Sequence, residues 1–505
     1  MFTRGLTLSA SSQDPFAILT FCLYLSLIIS VGLLARTFAS RGISEFFLGG
    51  RRLGAFVVAT SAVVSGRSAW LLLGFTGLAY SIGAAAVWAV VGYILVELWL
   101  FAFVGRRLRR LTGEAGDLTI PDFLSSRAGG SRAVRATAAV IILFFMVVYV
   151  ASQVRAGGEA LAASFLPASA GPGGPAKLLG MDVVGFGAVI TSIIILGYTI
   201  TGGYAAVVIN DAIQAVLILG SLVLLPVVAA LRFPGSVTDT LALLSPNMVD
   251  PVALSAGAAI GFVGIGLGSP GNPHILVRYM SARDERVLTR AAFYGTFWNV
   301  VMAWGALWIG LLGRAYFPGS LDLPGGRAEA VYPTLAQAQL PGWLFGLVLA
   351  SIFAAILSTA DSQLLVGAST VVRDIGQRLL GSSRESDDAR LVRASRWVVF
   401  VLLALATILG LVWRDLVFTL VLFAWGGLGA SLGPPVLLAL YFRRTTGKGM
   451  LAGMIGGAIV TVVWRLVPAC QSLIMELVPA FATSTLLTVL VSLWSDRSSS
   501  DARES

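Results

Sequence analysis

Apolar residues run through this chain in blocks of about 20, separated by short stretches rich in Arg, Gly and Pro. A lipid hydrocarbon core about 30 Å thick is crossed by roughly 20 residues of α-helix. The pattern therefore predicts about thirteen spans, at 15–37, 53–80, 84–105, 136–165, 183–201, 204–230, 252–271, 290–313, 342–371, 396–413, 416–441, 449–466 and 476–494. Two blocks are interrupted, the second by "SGRS" at 65–68 and the seventh by "GIGLGSPGNPH" at 264–274. They lie five spans apart. Broken helices at corresponding places in two groups of five mark an inverted repeat, with a solute site where the breaks meet. Unwound backbone there offers carbonyls to a cation and helix N-termini to an anionic group. Gly and Pro also serve helix packing in membranes, which accounts for one break more readily than for a matched pair.

The polar stretches give the orientation. "RRLRRLTGEAGDLTIPDFLSSRAGGSRAVR", "VRYMSARDERVLTR", "RDIGQRLLGSSRESDDARLVRASR" and "FRRTTGKG" fall on one side of the count, and the excess of Arg makes that side cytoplasmic. The N-terminus is then expected outside and the short tail at 496–505 inside. Composition agrees: 57% of residues are hydrophobic and 12% charged, so the chain is an all-α polytopic membrane protein with little left for a soluble domain. The net charge of +10 sits in the loops, so nucleic acid is not an expected partner. Cys22 and Cys470 have no disulfide or metal spacing. The N-terminus lacks the pattern of a cleaved signal, so the first span is expected to remain as a helix. No nucleophile elbow, HExxH or P-loop is present. The chain is not expected to be an enzyme or to hold a resident cofactor, and uphill transport would draw on an ion gradient.

Span nine reads "ASIFAAILSTADSQLLVGASTVVRD". Helical spacing puts Ser358, Asp361 and Ser362 on one face, with Thr359 about 100° round. Hydroxyls beside a carboxylate within a membrane suit a small cation or a proton relay, whereas bonding back to the preceding turn explains the hydroxyls alone. Arg67, Glu97, Asp211 and Arg155 are further charges inside spans, each costing about 3 kcal/mol or more if unpaired. Arg67 is expected to pair with Asp361 or Glu97. His274 reads as an interfacial helix-end residue.

The segments "FFLGGRRLGAFVVATSAVVSGRSAWLLLG", "LTIPDF", "GYTITGGYAAVVINDAIQ", "GLGSPGNPHILVRYM", "STADSQLLVGAST" and "AWGGLGASLGPPV" together resemble the sodium:solute symporter family, nearest its proline branch, over residues 15–495. The resemblance implies one transmembrane domain with a LeuT-like five-plus-five inverted-repeat core at 53–441. One extra helix at 15–37 precedes the core and two helices at 449–494 follow it. It implies alternating access, a cell-membrane location, sodium as coupling ion and a small organic solute, an amino acid of the proline kind, with no partner protein evident. Carried over, the sodium ligands are the carbonyls of Val64, Arg67 and Ala355 and the hydroxyls of Ser358 and Thr359. Tyr149, Ser65 and Pro273 match solute positions and Arg51 and Asp211 coupling positions of the family; Ser68, Ile265, Ser269 and Ser362 complete the expected solute site of this chain, and the in-span charges Arg67, Glu97 and Asp361 its expected coupling route.

Two departures alter the picture. Gly66 stands where the proline branch has an aspartate, and Ile265 and Ser269 stand where it has a tryptophan and a tyrosine. The loss of two aromatics implies a larger or less apolar pocket, which counts against proline itself and leaves a small amino-acid-like or carboxylated solute as the leading class. Arg67 and a sodium ion about 6 Å apart would repel by about 3 kcal/mol at an effective dielectric near 20, roughly a hundredfold in affinity. Either the guanidinium turns away to a carboxylate, or it replaces sodium and transport is sodium-independent or proton-coupled. A transporter-derived solute sensor is the third reading.

Overall fold

The computed structural model describes residues 14–35, 43–165, 177–201, 203–381, 388–413 and 415–504, and nearly all of them are helical. The first helix is α1 (Pro15–Ala35). A broken helix follows as α2 (Ala55–Ala69) and α3 (Thr76–Ile82), then α4 (Trp88–Trp99) and α5 (Gly105–Ala115). Next come the short α6 (Ile120–Arg127) and the long α7 (Arg132–Ser164), α8 (Val183–Thr201) and α9 (Tyr204–Arg232). The second broken helix is α10 (Ala256–Gly264) and α11 (Pro273–Met280), joined by a 3₁₀ stretch at Ile265–Gly271. The chain continues as α12 (Glu285–Tyr316), α13 (Gly342–Ser369), α14 (Asp388–Val412), α15 (Val417–Tyr441), α16 (Gly447–Leu466) and α17 (Leu477–Glu504). A two-stranded ribbon, β1 (Lys177–Leu178) and β2 (Met181–Asp182), pairs Lys177 with Asp182 before α8.

Among the described residues, 11 stretches are long and apolar enough to cross a membrane. The one from Ala55 to Ala115 has 61 residues, roughly 90 Å if straight and three times the hydrocarbon thickness. It folds back: Gly83 adopts φ +73°, and the single helix α12 packs against α2 and α3 as well as α4 and α5. Helix ends lie where capping chemistry allows. The Asp284 carboxylate accepts the Val287 N–H at 2.9 Å and starts α12. The Ser131 hydroxyl accepts the Val134 N–H at 3.4 Å and starts α7 four residues ahead of the expected span. These overhangs carry polar first turns, which hydropathy alone leaves out.

α13 and α15 are buried on nearly every face, whereas α1, α14 and α17 keep much apolar surface exposed. Helices apolar all round belong in the interior of a bundle, and their exposed counterparts face lipid. α2 packs against α9, α11, α12 and α13, and the link between α10 and α11 packs against α15. The backbone also ties the two broken helices at one end. Leu53 N–H donates to the Ser281 carbonyl (3.3 Å), and Arg283 N–H donates to the Leu53 carbonyl (3.1 Å).

Candidate functional site

α2 stops being helical at Ser68, whose backbone has φ 49° and ψ −169°. A β-carbon makes that conformation costly, so surrounding bonds must hold it. The Ser68 hydroxyl accepts the Trp70 N–H (3.1 Å), and the Gln153 side-chain carbonyl accepts the Ala69 N–H (3.1 Å). Both satisfy donors at the start of the second half-helix. The following turn, Trp70–Phe75, is π-helical, a local widening that recurs at functional sites.

α13 lies against this break. The Thr359 hydroxyl donates to the Ser65 carbonyl (3.0 Å), the Ser65 hydroxyl to the Ser358 carbonyl (3.0 Å), and the Ser358 hydroxyl to the Ala355 carbonyl (3.1 Å). A hydroxyl that donates its hydrogen to a carbonyl keeps its lone pairs for a cation. The carbonyl of Arg67 accepts the Trp70 N–H and keeps a second lone pair. Hard oxygens converge from two helices, a donor set that fits sodium.

The Arg67 guanidinium points elsewhere. Its Nε donates to Asn299 Oδ1 at 2.9 Å, its Nη2 lies 3.4 Å from Glu97 Oε2, and Asn299 Nδ2 donates to the same carboxylate oxygen. Its Cζ stands 3.4 Å above the Tyr93 ring, and that ring stacks on Trp425 at 5.4 Å. All these groups are buried. Of the two partners expected for Arg67 the structure selects Glu97, whereas Asp361 accepts from the Ser362 hydroxyl. Gly66 accompanies this arrangement, because a β-carbon at that position would fall on the Tyr93 hydroxyl.

A second buried cluster surrounds Arg278, which extends from α11. Its Nη2 reaches Asp211 Oδ2 (3.2 Å), the Ser65 hydroxyl (2.9 Å) and the Ser362 hydroxyl, and its Nε donates to the Ser61 hydroxyl (3.0 Å). Asp211 also accepts from the Ser61 hydroxyl at 2.6 Å. Ser362 lies 3.1 Å from Asp361 Oδ1 and 2.6 Å from the Ser358 carbonyl. Arg278 thus joins α2, α9 and α13, and it engages Ser65 and Ser362.

The other candidates surround these clusters. Tyr149 sits edge-on to His274 with ring centres 5.9 Å apart, and His274 is 6.5 Å from Trp425. His274 is fully buried, so its expected interfacial place is corrected: Pro273 starts α11 deep inside the bundle, where the break sets the helix end. The Ile265 carbonyl accepts the Trp425 Nε1–H at 2.9 Å, and Ser269 and Pro273 are buried beside it. All seven candidate solute residues are buried. Arg51 is separate from the centre. Its guanidinium donates to the Thr112 (3.0 Å) and Asp117 (2.6 Å) carbonyls, holding the approach to α2 against the negative end of α5. Arg155 pairs with Glu159 at 2.9 Å, and Glu159 also takes Arg327.

Arg278, Asn299, Tyr93, Gln153 and Trp425 were absent from the expected site. The signal for Arg278 was a charge on the same helical face as His274, one turn away in "HILVRYM". The other four are uncharged residues inside apolar spans, and only the packing shows what they hold.

The sodium:solute symporter family model matches residues 46–457. The chain is 32% identical to sodium/proline symporters of Staphylococcus aureus, strains JH9 and NCTC 8325 among them, over 97% of its length and 95% of theirs. Its fold is that of a Na⁺-coupled sialic acid symporter solved in a substrate-bound outward-open state, with TM-score 0.78, 18% identity, and 95% of this chain and 97% of that one covered. A nucleobase-cation-symport-1 family transporter in a closed conformation shares it more loosely, with TM-score 0.53, 13% identity, and 91% and 94% covered. The two broken helices five spans apart are therefore the matching first helices of a five-plus-five inverted repeat. The chain belongs to the sodium:solute symporter family and is a membrane transporter of that fold, not an enzyme.

Proposed function

We propose that this symporter takes up a small amino acid of the proline kind together with sodium, by alternating access around the break of α2. The observation that carries the reading is the meeting of that break with α13, where Ser65 bonds to the Ser358 carbonyl and the Thr359 hydroxyl. Sodium binds the carbonyls of Val64, Arg67 and Ala355 and those two hydroxyls. The solute lies among Ser68, Tyr149, Ile265, Ser269 and Pro273, with Ser65 and Ser362 at its edge. One fact supports sodium over the Arg67 guanidinium at the break: that guanidinium is held away by Glu97 and Asn299. The relatives named as proline symporters support the solute class.

In this reading α1 precedes a core running from residue 53 to 441, α16 and α17 follow it, and the chain makes thirteen passes of the cell membrane. The N-terminus lies outside and the C-terminus in the cytoplasm. The test is uptake of labelled proline into proteoliposomes under an inward sodium gradient. Sodium should stimulate uptake, and Ser358→Ala with Thr359→Ala should abolish the stimulation. Equal uptake in choline and sodium would overturn the sodium assignment. Sodium-driven uptake of other amino acids, with proline ignored, would overturn the solute.

A further inference from the structure

The residue whose carbonyl faces the proposed ion also carries a permanent positive charge. Arg67 and Glu97 are 1% and 0% exposed, so water and salt screen neither. Arg67 Nη1 and Glu97 Oε1 have no hydrogen-bond partner among the described residues, so electrostatics, not a saturated bonding network, holds the pair together. Asn299 bonds to both ends, and the Tyr93 ring, backed by Trp425, closes the guanidinium from one face.

We propose that Glu97 is a positioning residue for sodium. It draws the Arg67 side chain toward α4 and α12 and cancels its charge, so that a second cation can bind at the same residue's carbonyl. Glu97 touches neither ion nor solute. This inference rests on the sodium site proposed above and adds the condition under which that site works beside an arginine.

The test is sodium titration of purified protein by thermal shift, with choline holding ionic strength constant, together with solute KM at saturating sodium in proteoliposomes. Glu97→Gln keeps the shape and an acceptor but removes the charge. It should weaken sodium binding about tenfold, the scale of one uncompensated unit charge about 10 Å away at an effective dielectric near 20. Solute KM at saturating sodium should stay within about twofold of wild type. The pair Arg67→Met with Glu97→Gln removes both charges and should return sodium affinity to within about threefold of wild type. Arg67→Met alone should bind sodium as tightly as wild type or more so, which keeps the idea testable if Glu97→Gln fails to fold. Unchanged sodium affinity in Glu97→Gln, a double variant as weak as Glu97→Gln, or weaker sodium binding in Arg67→Met would each overturn the proposal. A wild type that shows no sodium-dependent shift would instead bring down the sodium site itself.

Discussion

Gly66→Ala adds one methyl group at the centre of the α2 break, and the structure fixes what it meets. An alanine β-carbon would fall on the Tyr93 hydroxyl oxygen, with Tyr93 Cζ 3.7 Å away and Ile275 Cδ1 3.2 Å away. The ring cannot move aside freely, because Arg67 covers one face at 3.4 Å and Trp425 stacks at 5.4 Å. Overpacking of this kind costs about 1–3 kcal/mol. Displacing the ring adds part of a desolvated cation–π contact of about 2 kcal/mol. The expected loss is therefore about 2–4 kcal/mol, and at about 1 °C per kcal/mol in a chain of 505 residues this lowers the melting temperature by about 2–4 °C. Tyr93→Phe removes the clashing oxygen, which has no hydrogen-bond partner among the described residues, and keeps the ring under Arg67. Alone it should be nearly neutral. Combined with Gly66→Ala it should recover all but about 1 kcal/mol, the remainder falling on Ile275. Thermal melting of the four purified proteins checks the cycle. A Gly66→Ala protein that melts within 1 °C of wild type, or a double variant no better than Gly66→Ala, would refute the reasoning.

Two further predictions concern charge. Arg278→Met leaves Asp211 buried without its cation and should cost about 3–5 kcal/mol, whereas adding Asp211→Asn should recover at least about 1 kcal/mol of that loss; additive melting shifts would show the pair to be uncoupled. Glu329, just outside the spans, accepts the Val417 and Phe418 N–H groups at the start of α15 (3.1 and 2.8 Å), while burial and then the neighbouring Glu159 push its carboxyl up to about 7. With the folded value above the unfolded one, its contribution to stability is full below about pH 4.5 and is lost as pH rises through about 7. Relative to Glu329→Gln, wild type should therefore lose up to about 3 kcal/mol across that window in melting experiments, and a flat difference would contradict this.

The breaks were legible in the sequence because a helix opens within a bundle only where Gly, Ser or Pro relieves the backbone, and those residues punctuate apolar runs visibly. The shared face of Ser358, Asp361 and Ser362 was legible because helical spacing alone sets it. The partner of Arg67 was narrowed to two carboxylates by depth, but depth ignores rotation about the helix axis, and rotation turned Arg67 toward α4. Arg278 went unnoticed because an arginine near a span end is already explained by the positive-inside rule. The π-helical turns at Trp70–Phe75, Leu100–Val104 and Thr370–Leu379 have no compositional mark. Each depends on how one extra residue is absorbed by the helices packed around it.

The backbone bonds between Leu53, Ser281 and Arg283 carry a mechanical meaning. They join the start of α2 to the end of α11, so the two half-helices below the proposed site cannot swing apart like a pair of doors without breaking main-chain pairing. They form one lever, with Arg278 as the bolt that fastens it to α9 and α13. Any movement of the joined pair away from α9 and α13 must break the bonds of Arg278 to Asp211 and Ser362.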